Sequence, residues 1–141
     1  MNSAILQQAP DTTLVWPPKL FLTGDPNHAV CPAAIDLTGL NRILLYHPDA
    51  TLPVGRWRAA IDFDVCADGA TRPFRLEFGA AHSLAVTDHQ PSRGGRQSMT
   101  AECALAASSA VELRLWVVRP TFHGELRFLG ATVRQLDDAS S

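Results

Sequence analysis

Apolar residues alternate with polar or small ones through most of the C-terminal two-thirds of the chain. From Arg56 to Val65, Trp57, Ala59, Ile61, Phe63 and Val65 share one parity, and Arg58, Ala60, Asp62 and Asp64 share the other. Successive side chains of a strand point to opposite faces, so this period of two predicts a half-buried strand. The pattern recurs at Phe74, Leu76 and Phe78, and again at Val111, Leu113, Leu115 and Val117; Leu126 and Phe128 open a further strand. One apolar sheet face needs another to cover it. The pattern therefore predicts an all-β protein, an antiparallel β-sandwich with about eight strands in a jelly roll and helix limited to short turns. Its core should contain Trp57, Ile61, Phe63, Phe74, Leu76, Phe78, Leu113, Leu115, Leu126 and Phe128.

Breaks in the pattern place the connections. Residues 1–12 read as an N-terminal arm, 13–136 as one sandwich domain and 137–141 as a frayed tail. Thr13 to Leu22 is interrupted by Pro17-Pro18, and proline lacks the ladder donor. This predicts a broken edge strand or two short extended pieces. Thr23 to His28 is a dense turn signal, in which Asp25 and Asn27 should bond local backbone amides. Between Ala29 and Leu40 there is room for a short helical turn, limited by Pro32 and Gly39. Arg42 to Tyr46 reads as a short strand that His47-Pro48-Asp49 ends. Asp88 to Gly95, with Pro91 and Gly94-Gly95, reads as a mobile loop. In the last strand, Glu125 to about Leu136, the phase slips near Leu129-Gly130, which predicts a β-bulge.

Composition narrows the class. Among 141 residues, 46% are hydrophobic and 18% charged, which excludes wholesale disorder. The formal net charge of −2 leaves no global field to attract nucleic acid or an anionic membrane. No apolar run is long enough to span a bilayer, and the first residues lack a basic segment followed by an apolar stretch. The 3 cysteines, Cys31, Cys66 and Cys103, are odd in number and widely spaced. They argue against a disulfide framework and for reduced thiols in a cytoplasmic protein.

The order of elements carries a resemblance. A strand opening with Gly55-Arg56-Trp57 is followed by FRLEFG and then by ELRLWVVRPTFHGELRFLGATV. Over residues 50–136 this resembles the β-sandwich carbohydrate-binding modules of the galactose-binding-like class, and the small jelly-roll modules attached to bacterial glycosyltransferases and polysaccharide-assembly proteins. The resemblance implies a non-catalytic module that binds carbohydrate or assists a glycan-assembly enzyme. It maps no family binding residue onto the chain. The alternative is a structural or protein-interaction sandwich without a small ligand, homodimeric through a sheet face or edge.

Four constellations could carry chemistry. The first combines aromatic and polar residues at strand ends: Tyr46, His47 and Asp49, with Trp116, Arg119 and His123, and Phe122 between them in sequence. A sugar needs a flat apolar surface for its C–H face and planar donors and acceptors for its hydroxyls. Trp116 shares parity with Glu112 and Arg114, away from the apolar face of its strand, so it is either covered by a loop or open to a ligand. These residues are the expected ligand-binding set. The second constellation is a charged outer face. It comprises Arg58, Asp62 and Asp64, then Arg75 and Glu77, then Glu112 and Arg114, and last Glu125 and Arg127. If these strands are neighbours it would form a cross-strand ladder, either a groove that binds an anionic sugar or phosphate through bidentate arginines or, since both signs alternate and largely neutralise each other, a solvated face of ion pairs. The third, Asp25, Asn27, His28 and Cys31, lacks the second Cys/His pair of a structural zinc site and reads as a turn, so no metal or cofactor is expected. The fourth is catalysis: no G-x-S-x-G, H-E-x-x-H, P-loop or glycine-rich dinucleotide motif occurs, and no enzyme activity is expected.

Overall fold

The structure is a computed structural model describing residues 12–25, 28–66, 72–121 and 123–136. The described residues form ten strands: β1 (Thr13–Trp16), β2 (Leu22–Thr23), β3 (Ile35–Asp36), β4 (Arg42–Leu52), β5 (Gly55–Val65), β6 (Phe74–Ala80), β7 (Ser83–His89), β8 (Gly95–Leu105), β9 (Ser109–Val117) and β10 (Glu125–Gln135). The first sheet runs β1-β10-β5-β8, with β3 also on β10; the second runs β2-β4-β9-β6-β7. Every pairing between these strands is antiparallel, so the predicted sandwich is the observed one. The excess over eight strands comes from β2 and β3, two residues each.

Alternation positions the core as expected. All ten predicted core residues are buried. Phe63 of the first sheet meets Phe74 of the second edge-on, ring centroids 5.2 Å apart. Phe21 and Phe128 close the other side at 4.6 Å. Trp57 is buried and its indole N–H donates to the Pro53 carbonyl at 3.0 Å, which satisfies the one polar atom such a residue carries inward.

The irregular positions are equally local in origin. Pro17-Pro18 ends β1 and opens a 3-10 turn, Pro18–Leu20, as a residue without an N–H donor permits. The predicted bulge is present: the β10–β5 register shifts between Phe128 and Gly130. Gly130 has φ +116, and a Cβ there would lie 3.3 Å from the Trp16 carbonyl oxygen, so both backbone shape and space favour glycine.

Three expectations are corrected. The segment from Ala29 to Leu40 forms no helical turn; it forms β3 and the isolated bridges Leu22↔Val30 and Gly39↔Thr121. β4 does not end at Tyr46 but continues to Leu52, with register breaks between Ile43 and Leu45 and between His47 and Ala50. Pro48 falls in the second break, beyond the two residues that β2 pairs, so its missing donor interrupts no regular ladder. The chain from Asp88 to Gly95 is shorter as a loop than expected, because β7 extends through His89. The arm up to residue 11 and the tail from 137 lie outside the described residues.

The charged positions divide between two faces. Arg58, Asp62, Asp64 and Arg127 stand on the outside of the first sheet. Arg75, Glu77, Glu112 and Arg114 stand on the outside of the second. The neighbours are β5 with β10 and β6 with β9, so the charges form two separate ladders.

Candidate functional site

The outer face of the second sheet carries an aromatic and charged strip. On β9, Leu113, Leu115 and Val117 are buried, so the intervening Glu112, Arg114 and Trp116 point outward. Register sets their neighbours. Trp116 lies between Ile43 of β4 and Arg75 of β6, and Arg114 between Tyr46 of β4 and Glu77 of β6. Beyond β6, Arg75 lies opposite Asp88 of β7.

These side chains are bonded to each other. The Trp116 indole N–H donates to Glu77 Oε1 at 2.7 Å. Arg114 Nη1 stands 3.6 Å from the same oxygen, and its Nε and Nη2 reach Glu112 Oε1 at 2.8 and 2.7 Å. The side chains of Arg114, Glu112 and Glu77 are 25%, 24% and 16% exposed, so the network is partly desolvated and more rigid than a fully exposed pair. Arg75 binds Asp88 through two parallel bonds of 2.7 and 3.2 Å, and the guanidinium holds the Asp88 carboxyl below its usual range. At the β4 side, the Tyr46 hydroxyl lies 3.1 Å from His28 Nδ1, with the two rings nearly perpendicular.

Of the expected ligand set, Tyr46 and Trp116 share this face on adjacent strands, Tyr46 opposite Arg114 and so two residues along from Trp116. His47 does not join them. It shares parity with Leu45, points inward and stacks on Trp16 at 3.9 Å with a 17° interplanar angle, its edge toward Phe21. Asp49 is exposed at the second break of β4, near Val111. Arg119 and His123 are exposed beyond Val117, at the other end of β9, about 20 Å away along the strand. The six residues therefore do not meet on one surface. Phe122 lies outside the described residues.

In the sequence Glu77 and Arg114 belong to the charged outer face, apart from the aromatic set that contains Trp116. Their union with Trp116 depends on β6 pairing with β9, a contact 39 residues apart for the indole bond. The available signal was shared parity: Trp116 and Arg114 both oppose the apolar face of β9.

A cleft of about 320 Å³ adjoins the strip at Ile43 and is lined by Asp25, Asp36 and Arg42 among others. Its polar groups hold the loops. Arg42 donates to the carbonyls of Asp36, Thr38 and Leu40 at 2.7 to 3.3 Å and to that of Leu37 at 3.5 Å, fastening the β3–β4 connection. Asp36 accepts the Thr38 amide at 2.9 Å, and that bond lowers its carboxyl pKa. Asp25 accepts from the Thr23 hydroxyl and the His28 amide, as the turn reading expects; Asn27 is outside the described residues. Among the described residues no group of three His, Cys, Asp or Glu side chains could hold a metal ion. Cys31, Cys66 and Cys103 are free; burial raises the thiol pKa of Cys31 and Cys103. No described helix is long and apolar enough to cross a membrane.

No protein-family model matches the chain, and no curated protein sequence matches it. Solved structures do. The cleaved adhesin domain K1 of Lys-gingipain from Porphyromonas gingivalis W83 superposes with a TM-score of 0.56 at 11% identity, covering 89% of this chain and 99% of the other. TmCBM61, solved with β-1,4-galactotriose, gives 0.53 at 9% identity over 93% of each chain. The CBM36-1 domain of a multidomain xylanase from the hindgut metagenome of Trinervitermes trinervoides gives 0.50 at 9%, over 89% and 99%. At these identities the likeness is one of fold: the chain has the jelly-roll fold found in carbohydrate-binding modules.

Proposed function

We propose that this protein is a non-catalytic carbohydrate-binding domain whose contact surface is the outer face of the second sheet. One observation carries the reading. Trp116 projects from that face with its indole N–H fixed by Glu77 and with Tyr46 diagonally across from it on the neighbouring strand, among carboxylates and guanidinium groups held in place by one another. Such a surface offers a sugar both flat apolar area and oriented hydrogen-bonding groups at little ordering cost. The carbohydrate-binding modules that share the fold support the same reading.

On this reading the domain holds a glycan for an enzyme that assembles or processes it, and catalysis belongs to that enzyme. Free thiols at Cys31, Cys66 and Cys103 fit a reducing compartment such as the cytoplasm. Arg119 and His123, beyond the Trp116 end of β9, would meet only a ligand long enough to run off the strip.

A glycan array with the wild type and Trp116→Ala tests the proposal. The wild type should bind a defined set of glycans, and the variant should lose them while melting within a few degrees of the wild type. Retained binding by a folded Trp116→Ala protein would remove the site from this face.

A further inference from the structure

We infer that the glycan held by the second sheet's outer face is neutral, without carboxylate, sulfate or phosphate groups; the inference rests on the reading of that face as the binding surface. The face presents two cations, Arg75 and Arg114, and three carboxylates, Glu77, Asp88 and Glu112, a formal sum of −1. The two cations are already committed. Arg75 spends its Nε and Nη2 on the two oxygens of Asp88. Arg114 directs Nε and Nη2 to Glu112 and Nη1 toward Glu77. The Nε–Nη2 edge of each arginine, the edge that most readily recognises an anion bidentately, is thus occupied by the chain's own carboxylates.

An anionic sugar seated on Trp116 would stand beside Glu77, whose Oε1 already receives the indole N–H. It would have to displace a carboxylate from an arginine or remain next to like charge, and like-charge contact selects against a partner. A neutral sugar meets no such penalty. Its hydroxyls donate to the outward oxygens of Glu77, Glu112 and Asp88, and its C–H face lies on the rings. The strip crosses four strands, from Asp88 on β7 to Tyr46 on β4, about 14 Å at the usual strand spacing. That length suits an oligosaccharide better than one hexose ring.

The test is calorimetric titration of the full chain with paired ligands: a neutral hexose oligomer that binds on the array, and the same oligomer oxidised at C6 to the uronic acid. The neutral ligand should bind at least about tenfold more tightly at low ionic strength, and added salt should narrow the ratio. Glu112→Gln releases Arg114 and should lower the ratio. Glu77→Gln removes charge while keeping an acceptor for the Trp116 N–H, and it should do the same if Glu112→Gln fails to fold. Equal or tighter binding of the uronate, lost in Trp116→Ala, would overturn the inference and leave the binding face standing. A ratio unchanged in folded forms of either variant would overturn it too. Binding of neither series would overturn both the inference and the reading beneath it.

Discussion

The two outer faces of this sandwich are built from the same charged residue types, yet they differ in kind. On the first sheet, Glu102 takes Arg58 at 2.6 Å and Arg56 at 3.2 Å, and Asp64 takes Arg96 at 3.2 Å, with side chains 38–63% exposed. On the second, the Arg114 network is 16–25% exposed and encloses an indole N–H. Both ladders follow the same parity rule, and the difference lies in what stands between the charges. Ala60, Ser98 and Thr100 separate them on the first sheet, leaving each ion pair in water. On the second, Trp116 stands between Arg114 and the β6–β7 charges and bonds Glu77, while the Arg75–Asp88 pair at the β7 edge, 41% and 56% exposed, resembles the pairs of the first sheet. A face becomes a candidate site when large side chains desolvate and orient its charges, not when charges are numerous.

The largest expected effect lies beneath both faces. Phe63→Ala empties a fully buried position between the sheets and should cost about 3–5 kcal/mol in urea unfolding. A loss under about 1 kcal/mol would mean that the faces do not share one packed core.

A matched pair of truncations addresses the faces themselves. Glu77→Ala strips the partly buried Trp116 indole N–H of its acceptor and Arg114 of an ion-pair partner, and should cost about 1–3 kcal/mol. Glu102→Ala removes an exposed pair and should cost less than about 1 kcal/mol. Equal costs would erase the distinction drawn between the sheets.

A smaller effect, shared by both faces, appears in acid. Arg58 lowers the Glu102 carboxyl on the first sheet, and Arg75 lowers Asp88 on the second. A carboxyl whose pKa is lower folded than unfolded stabilises the fold above its unfolded pKa and loses that contribution as pH falls through the folded value. Thermal stability should hold above about pH 5 and decline below about pH 4, with a shallower decline in Arg75→Gln and Arg58→Gln. A decline starting near neutrality would assign the acid response to other groups.

Period-two alternation made the core, the sandwich and the Gly130 bulge legible from sequence, because each depends on residues a few positions apart. The course of β4 was not legible. Pro48 reads as a stop, and only the open edge beyond β2 lets the strand pass it. The inward turn of His47 was available in principle, since it shares parity with Leu45, but the break at Leu44 hid that phase. For the candidate site, the outward parity of Trp116 was legible and its partner was not. Glu77 reaches Trp116 through a pairing of distant strands, and local pattern does not encode which strands become neighbours.

The most direct test of the central claim is a nitrogen–proton NMR titration of the chain with a glycan that binds on the array. Three indole N–H signals, from Trp16, Trp57 and Trp116, report on separate places in the fold. With the glycan on the second sheet's outer face, the Trp116 signal moves together with the backbone amides of Tyr46, Glu77 and Arg114, while Trp57 and the amides of Arg58 and Glu102 stay still. Shifts confined to the first sheet, or to the loops around Asp25 and Asp36, would contradict it.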